Sequence, residues 1–85
     1  MNADILLSAN SWHDLYAASG FDAGTPLLIY NKSVSRLLLW DGVSPPAGED
    51  GVPVNPDAPI VVESGSLGCW VKSMGAIRVN VQEYV

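Results

Sequence analysis

The sequence predicts an all-β fold, a small antiparallel β-sandwich or barrel-like domain with one long proline-rich loop and room for one short helical turn. Three observations carry that expectation. Apolar residues alternate with period two more clearly than with period 3.6. Short β-branched runs are separated by Gly, Asn and Ser turn chemistry. Five of the six prolines crowd into residues 44–59, where no central strand can run because proline lacks the ladder N–H. Eighty-five residues make one domain, taken as 1–85.

The C-terminal segment shows the alternation best. Ile77, Val79 and Val81 fall on one side, with Ala76, Arg78, Asn80 and Gln82 on the other, as in a strand with one wet face. Residues 58–63 are β-branched at their centre (Ile60, Val61, Val62) and predict a second strand. Residues 67–73 predict a third, with Gly65-Ser66 before it and Met74-Gly75 after it. Residues 26–31 and 35–41 predict a hairpin around Asn31-Lys32-Ser33. The unbroken run Leu37-Leu38-Leu39-Trp40 suits a strand covered on both faces. Residues 4–8 give a further short strand. Over residues 12–18 two readings stand open. Asn10 and Ser11 can cap a helical turn with Trp12, Leu15 and Tyr16 at i, i+3, i+4 and Gly20 as its stop, or the same stretch can alternate as a strand.

Composition bounds the function. The chain is 48% hydrophobic and only 15% charged, too apolar for disorder and more apolar than a small isolated domain hides easily. One cysteine cannot form an internal disulfide, and Cys69 with His13 cannot make a zinc site. Self-association is the remaining common way to stabilise a small fold, so a homo-oligomer is expected. The net charge is −5, and Lys32, Arg36, Lys72 and Arg78 form no sequence cluster. That argues against nucleic acid, whose affinity comes largely from neutralised phosphates. No apolar run approaches the ~20 residues of a membrane span, and no basic segment precedes an apolar run at the start. The expected place of synthesis is the cytoplasm.

No constellation for catalysis emerges, and the chain is expected not to be an enzyme. His13 adjoins Asp14, but neighbouring side chains diverge on a helix or a strand. A triad of His13, Asp14 and Ser66 is conceivable, yet Ser64-Gly65-Ser66-Leu67-Gly68 misses the nucleophile-elbow pattern. A surface histidine is the simpler reading. Glu49, Asp50 and Asp57 share a wet loop where nothing raises a carboxyl pKa, and Asp50-Gly51 is far from a calcium loop. Gly65, Gly68 and Gly75 flank strands and do not build a phosphate cradle. Cys69, inside an apolar strand, reads as a small core hydrophobe. No cofactor and no metal is expected.

Binding is the better expectation. Trp12, Trp40, Trp70, Tyr16, Tyr30 and Tyr84 are many aromatics for this length, and such residues concentrate at interface hot spots. One or two tryptophans are expected in the core, with Trp12 or Tyr84 at a contact surface. The candidate contact residues are Trp12, Tyr16, Trp40, Pro45, Pro46, Pro53, Pro56 and Tyr84. Prolines at 45, 46, 53, 56 and 59 lower the entropy cost of ordering the 44–59 loop on a partner; a solvated crossover between sheets is the equal alternative. An aromatic platform for sugars or a receptor is the second functional reading.

The order of motifs also resembles a pattern in small structural proteins of tailed bacteriophages. It runs from Ser11-Trp12-His13-Asp14-Leu15-Tyr16-Ala17-Ala18-Ser19-Gly20 into Gly24-Thr25-Pro26-Leu27-Leu28-Ile29-Tyr30-Asn31-Lys32. It continues with Gly68-Cys69-Trp70-Val71-Lys72-Ser73 and closes on residues 77–83. The resemblance covers nearly the whole chain, with the proline-rich stretch departing most from the pattern. It implies a virion component without catalytic residues. The implied roles are capsid decoration (cement), or an accessory at the head–tail junction or tail fibre, commonly as a homotrimer or larger ring. Major capsid or tail proteins would be its partners.

Overall fold

A computed structural model describes residues 2–48 and 50–84, and among them the chain is an all-β sandwich with one very short helix. Its elements are β1 (Asn2–Leu7), β2 (His13–Asp14), α1 (Leu15–Ser19), β3 (Leu27–Asn31), β4 (Leu37–Asp41), β5 (Val52–Val54), β6 (Pro59–Val62), β7 (Cys69–Lys72) and β8 (Ile77–Glu83). Two four-stranded sheets result. Sheet A has the order β1-β8-β3-β6 and sheet B the order β2-β7-β4-β5, with every pairing antiparallel.

The core is what period two dictates. Ile5, Leu27, Ile29, Val62, Ile77, Val79 and Val81 point inward from sheet A. Leu37, Leu39, Val54, Cys69 and Val71 meet them from sheet B. The alternation read over residues 76–82 holds residue by residue: Ile77, Val79 and Val81 are buried while Ala76 and Arg78 are exposed.

The chain changes sheet at every connection except β4 to β5. This corrects the expected hairpin over 26–41. β3 and β4 do not pair; they lie in opposite sheets, and their inward residues face one another across the core. Alternation is the same for both arrangements, so it does not choose between them. The choice is made by polar contacts of the connecting segment. Asn31 is fully buried, its Oδ1 accepts from the Ser33 N–H at 3.0 Å, and its Nδ2 donates to the carbonyls of Ser35 (3.2 Å) and Val54 (3.0 Å). Lys32 N–H donates to the Arg78 carbonyl at 2.8 Å, and Ser33 Oγ accepts from the Arg78 N–H at 2.8 Å. These bonds hold the start of the segment to β8 and let the rest cross to sheet B.

Two further expectations are refined. Both readings of residues 12–18 are partly right, since β2 runs directly into α1. The cap is Asp14, whose carboxylate accepts from the Ala17 N–H at 3.2 Å, and not Asn10 or Ser11. Gly20 ends the helix in the left-handed conformation that its missing Cβ permits. The stretch 44–59 is not irregular throughout. β5 lies within it as the edge of sheet B, where Pro53 is tolerated, and Pro59 opens β6 on the edge of sheet A.

Candidate functional site

Inward positions on sheet B fix which residues face out. With Leu37, Leu39, Val54, Cys69 and Val71 buried, alternation turns Leu38, Trp40, Pro53, Trp70 and Lys72 to the other face. The strand registers line them up. Trp70 stands opposite Trp40 on one side and Asp14 on the other, and Leu38 stands between Lys72 and Pro53. The outer face of sheet B is thus a half-exposed sheet of aromatic and aliphatic groups.

Trp12, just before β2, extends this surface. Its indole N–H donates to the Gly48 carbonyl at 3.0 Å, and the Lys72 ammonium lies 6.0 Å from its ring centroid, a cation–π distance. The ring tethers the proline-rich loop to the sheet. Gly51 makes this possible. Its φ of 142° is one that side chains rarely adopt, and a Cβ there would lie 3.0 Å from the Leu39 carbonyl oxygen and 3.2 Å from Trp12 Cη2. Trp70 secures the other end of β4: its indole N–H donates to the Gly42 carbonyl at 3.0 Å, and Gly42 N–H donates to the Gly68 carbonyl at 3.1 Å. Gly68 packs so tightly on the Gly42 carbonyl that no side chain fits.

Beyond Leu38 the face runs into an open groove of ≈ 690 Å³ lined by Asn10, Ser35, Arg36, Leu38, Ser73 and Met74. Arg36 and Lys72 put two of the four bases on this side of an acidic chain. The other two, Lys32 and Arg78, sit on sheet A around Asp4, at 2.7 and 3.5 Å. Hydrogen bonds to Asp4 from Lys32 and then Asn80, with the two positive charges, pull its carboxyl down to about 2. The outer face of sheet A therefore carries a polar patch of Asp4, Arg78, Asn80 and Gln82 beside the exposed Leu6, Tyr30 and Val61.

The residues weighed for chemistry are dispersed. His13 Nε2 bonds to the Ser8 carbonyl at 2.9 Å. Ser66 Oγ donates to Asp41 at 2.7 Å and makes no bond to His13 among the described residues. Cys69 is fully buried, and burial, with the charges of Asp41 and Asp14 adding, pushes its thiol up to about 12. Asp50 and Asp57 are exposed, and Glu49 lies outside the described residues.

Of the candidate contact residues, Trp12, Trp40 and Pro53 converge on the outer face of sheet B. Pro45 is exposed and Pro46 half-buried in the loop beyond Gly42. Pro56 lies in the turn closed by the Ala58 N–H to Asn55 carbonyl bond (3.2 Å), where the chain leaves sheet B. Tyr84 is exposed but belongs to sheet A, its N–H donating to the Pro26 carbonyl at 2.8 Å. Tyr16 is in the core, 4% exposed, with its hydroxyl donating to the Thr25 carbonyl at 2.7 Å. Because α1 begins at Leu15, the helix turns Leu15, Tyr16 and Ser19 inward, so Tyr16 offers nothing to a partner. None of the three tryptophans is among the buried core residues, contrary to the expectation for one or two of them. Trp70, Leu38 and Lys72 complete the surface and were not among the candidates. Their signal was the Cys69-Trp70-Val71-Lys72 alternation, whose small members fill the core. No family model, curated protein or solved structure was found to match this chain.

Proposed function

We propose that this chain is a non-enzymatic docking module of a tailed-bacteriophage particle, a decoration or head–tail/tail-fibre accessory, and that the outer face of sheet B is its contact surface. The observation that carries the proposal is the convergence of Trp12, Trp40, Trp70, Leu38 and Pro53 on one half-exposed face. Contiguous apolar surface of this kind marks interaction sites, and tryptophan supplies large, rigid contact area. At about 25 cal/mol per Å² of apolar area, one such face gives a modest affinity, which repetition over a symmetric shell or tail multiplies. The motif resemblance supplies the particle. Mass spectrometry of purified virions of the phage encoding this chain is the test: the chain is expected in mature particles, and its absence from them contradicts the proposal.

A second reading is favoured by one pairing. Asp14 stands opposite Trp70, and a carboxylate beside an indole suits a sugar, whose hydroxyls donate to the acid while its C–H face stacks on the ring. A glycan array decides it: a glycan signal that Trp70→Ala removes while the circular dichroism spectrum stays that of the folded chain supports the sugar reading, and a blank array removes it.

A further inference from the structure

We infer that the open edge of β1 is a self-association site, at which a second copy of this chain adds its own β1 antiparallel to form a closed two-fold dimer with a continuous eight-stranded sheet. A sandwich of two open sheets has four edge strands, here β1, β6, β2 and β5. An exposed edge invites strand addition unless it is short, broken by proline or otherwise blunted. Three of the four are guarded: β2 has two residues, β5 carries Pro53 at its centre, and β6 begins at Pro59. β1 is six residues long and contains no proline. Alternate residues of an antiparallel edge strand turn N–H and C=O groups away from their neighbour. Among the described residues, no backbone group of β1 bonds to anything except β8. The helix α1 contacts β1 without hydrogen-bonding to it among these residues.

The sequence of β1 selects a self-complementary register. Leu6 is 76% exposed on the outer face, while Ile5 is buried and Leu7 is partly buried against the core. A two-fold axis at Leu6 sets Leu6 against Leu6 of the other copy, covering the exposed side chain. It also sets Ile5 against Leu7 on the inner side, so the two cores become continuous across the junction. Asp4 then falls opposite Ser8, and the like-charge pairing that an axis at Asp4 would create is avoided. The bond from His13 to the Ser8 carbonyl marks the end of the paired segment. Since the pairing consumes the open β1 edge of both copies and leaves only guarded edges, growth stops at two.

The experiment uses the full chain. Light scattering at on the order of 100 µM chain is expected to give twice the monomer mass. Leu6→Lys, which sets two like charges opposite each other at an exposed position, is expected to weaken the dimer at least about tenfold with an unchanged circular dichroism spectrum. Leu6→Cys is expected to form an intermolecular disulfide under mild oxidation, because directly opposed antiparallel residues fall within disulfide range; buried Cys69 stays reduced. A monomeric wild type, a trimer, or a dimer indifferent to Leu6→Lys whose Leu6→Cys variant does not cross-link would each overturn the pairing. None of these results bears on docking through sheet B, which uses the other sheet.

Discussion

Trp40 and Trp70 stand directly opposite each other across β4 and β7, and the Trp70 indole N–H donates to the carbonyl of Gly42, two residues beyond Trp40. The pair joins the outer face of sheet B to the loop that follows β4. Trp70→Phe keeps a ring in place but removes the donor, and a typical hydrogen bond contributes about 1 kcal/mol net. Urea denaturation should show a loss of that order with an unchanged m-value.

Asn31 is the polar joint between the sheets. Asn31→Ala leaves the Ser35 and Val54 carbonyls and the Ser33 N–H without their partner in a buried place, at a cost of roughly 2–4 kcal/mol. Asn31→Asp replaces the donor with an acid facing two carbonyl oxygens, so its folded-state pKa rises. Its penalty should shrink as pH falls toward 4 and grow as pH rises, which denaturation curves across that range would reveal.

Gly51 and Gly20 both have positive φ, but only Gly51 is crowded. Gly20→Ala meets open space and suffers backbone strain alone, about 1 kcal/mol. Gly51→Ala adds a Cβ against the Leu39 carbonyl and the Trp12 ring, so it should cost more, about 2–3 kcal/mol, and shift Trp12 fluorescence. Equal losses for the two variants would mean that Trp12 does not depend on this glycine.

How much of this was legible in the sequence differs from one level to the next. The inward set of β8 follows from alternation, and Cys69 reads as a core residue from its place inside an apolar strand. The sheet to which each strand belongs does not follow from alternation, because β3 and β4 show the same period whether they pair or face each other; the buried side chain of Asn31 decides it. Tyr16 was misplaced because its orientation depends on the residue at which α1 begins, and Asp14 rather than Ser11 sets that point. The expectation of one or two tryptophans in the core fails for Trp70 because its neighbours Cys69 and Val71 already claim the inward positions. Pro53 was rightly kept out of a central strand, but an edge strand within a proline-rich stretch leaves little periodic trace in three residues.

Two titrating groups set opposite limits on stability. The Asp4 carboxyl, held down at about 2 by Lys32 and Asn80, lies below its unfolded value of about 3.9. Its stabilisation is full above that value and is lost as pH falls toward 2. Cys69, held at about 12 by burial, lies above its unfolded value of about 8.5. Its contribution is full below that value and is lost as pH rises toward 12, and burial shifts Tyr16 in the same sense. Melting temperatures against pH should fall at both ends. Asp4→Asn should flatten the acid limb, Cys69→Ala the alkaline one, and a thiol reagent at neutral pH should label Cys69 only on unfolding.

Docking of the tryptophan face of sheet B on a phage particle is the proposed role. The most direct measurement is the copy number, by quantitative mass spectrometry, of the Trp40→Ala/Trp70→Ala chain in purified particles, with wild-type chain as reference. At least about a tenfold loss, the scale of a hot-spot contact, is expected for a variant that still folds. Incorporation equal to wild type would contradict it.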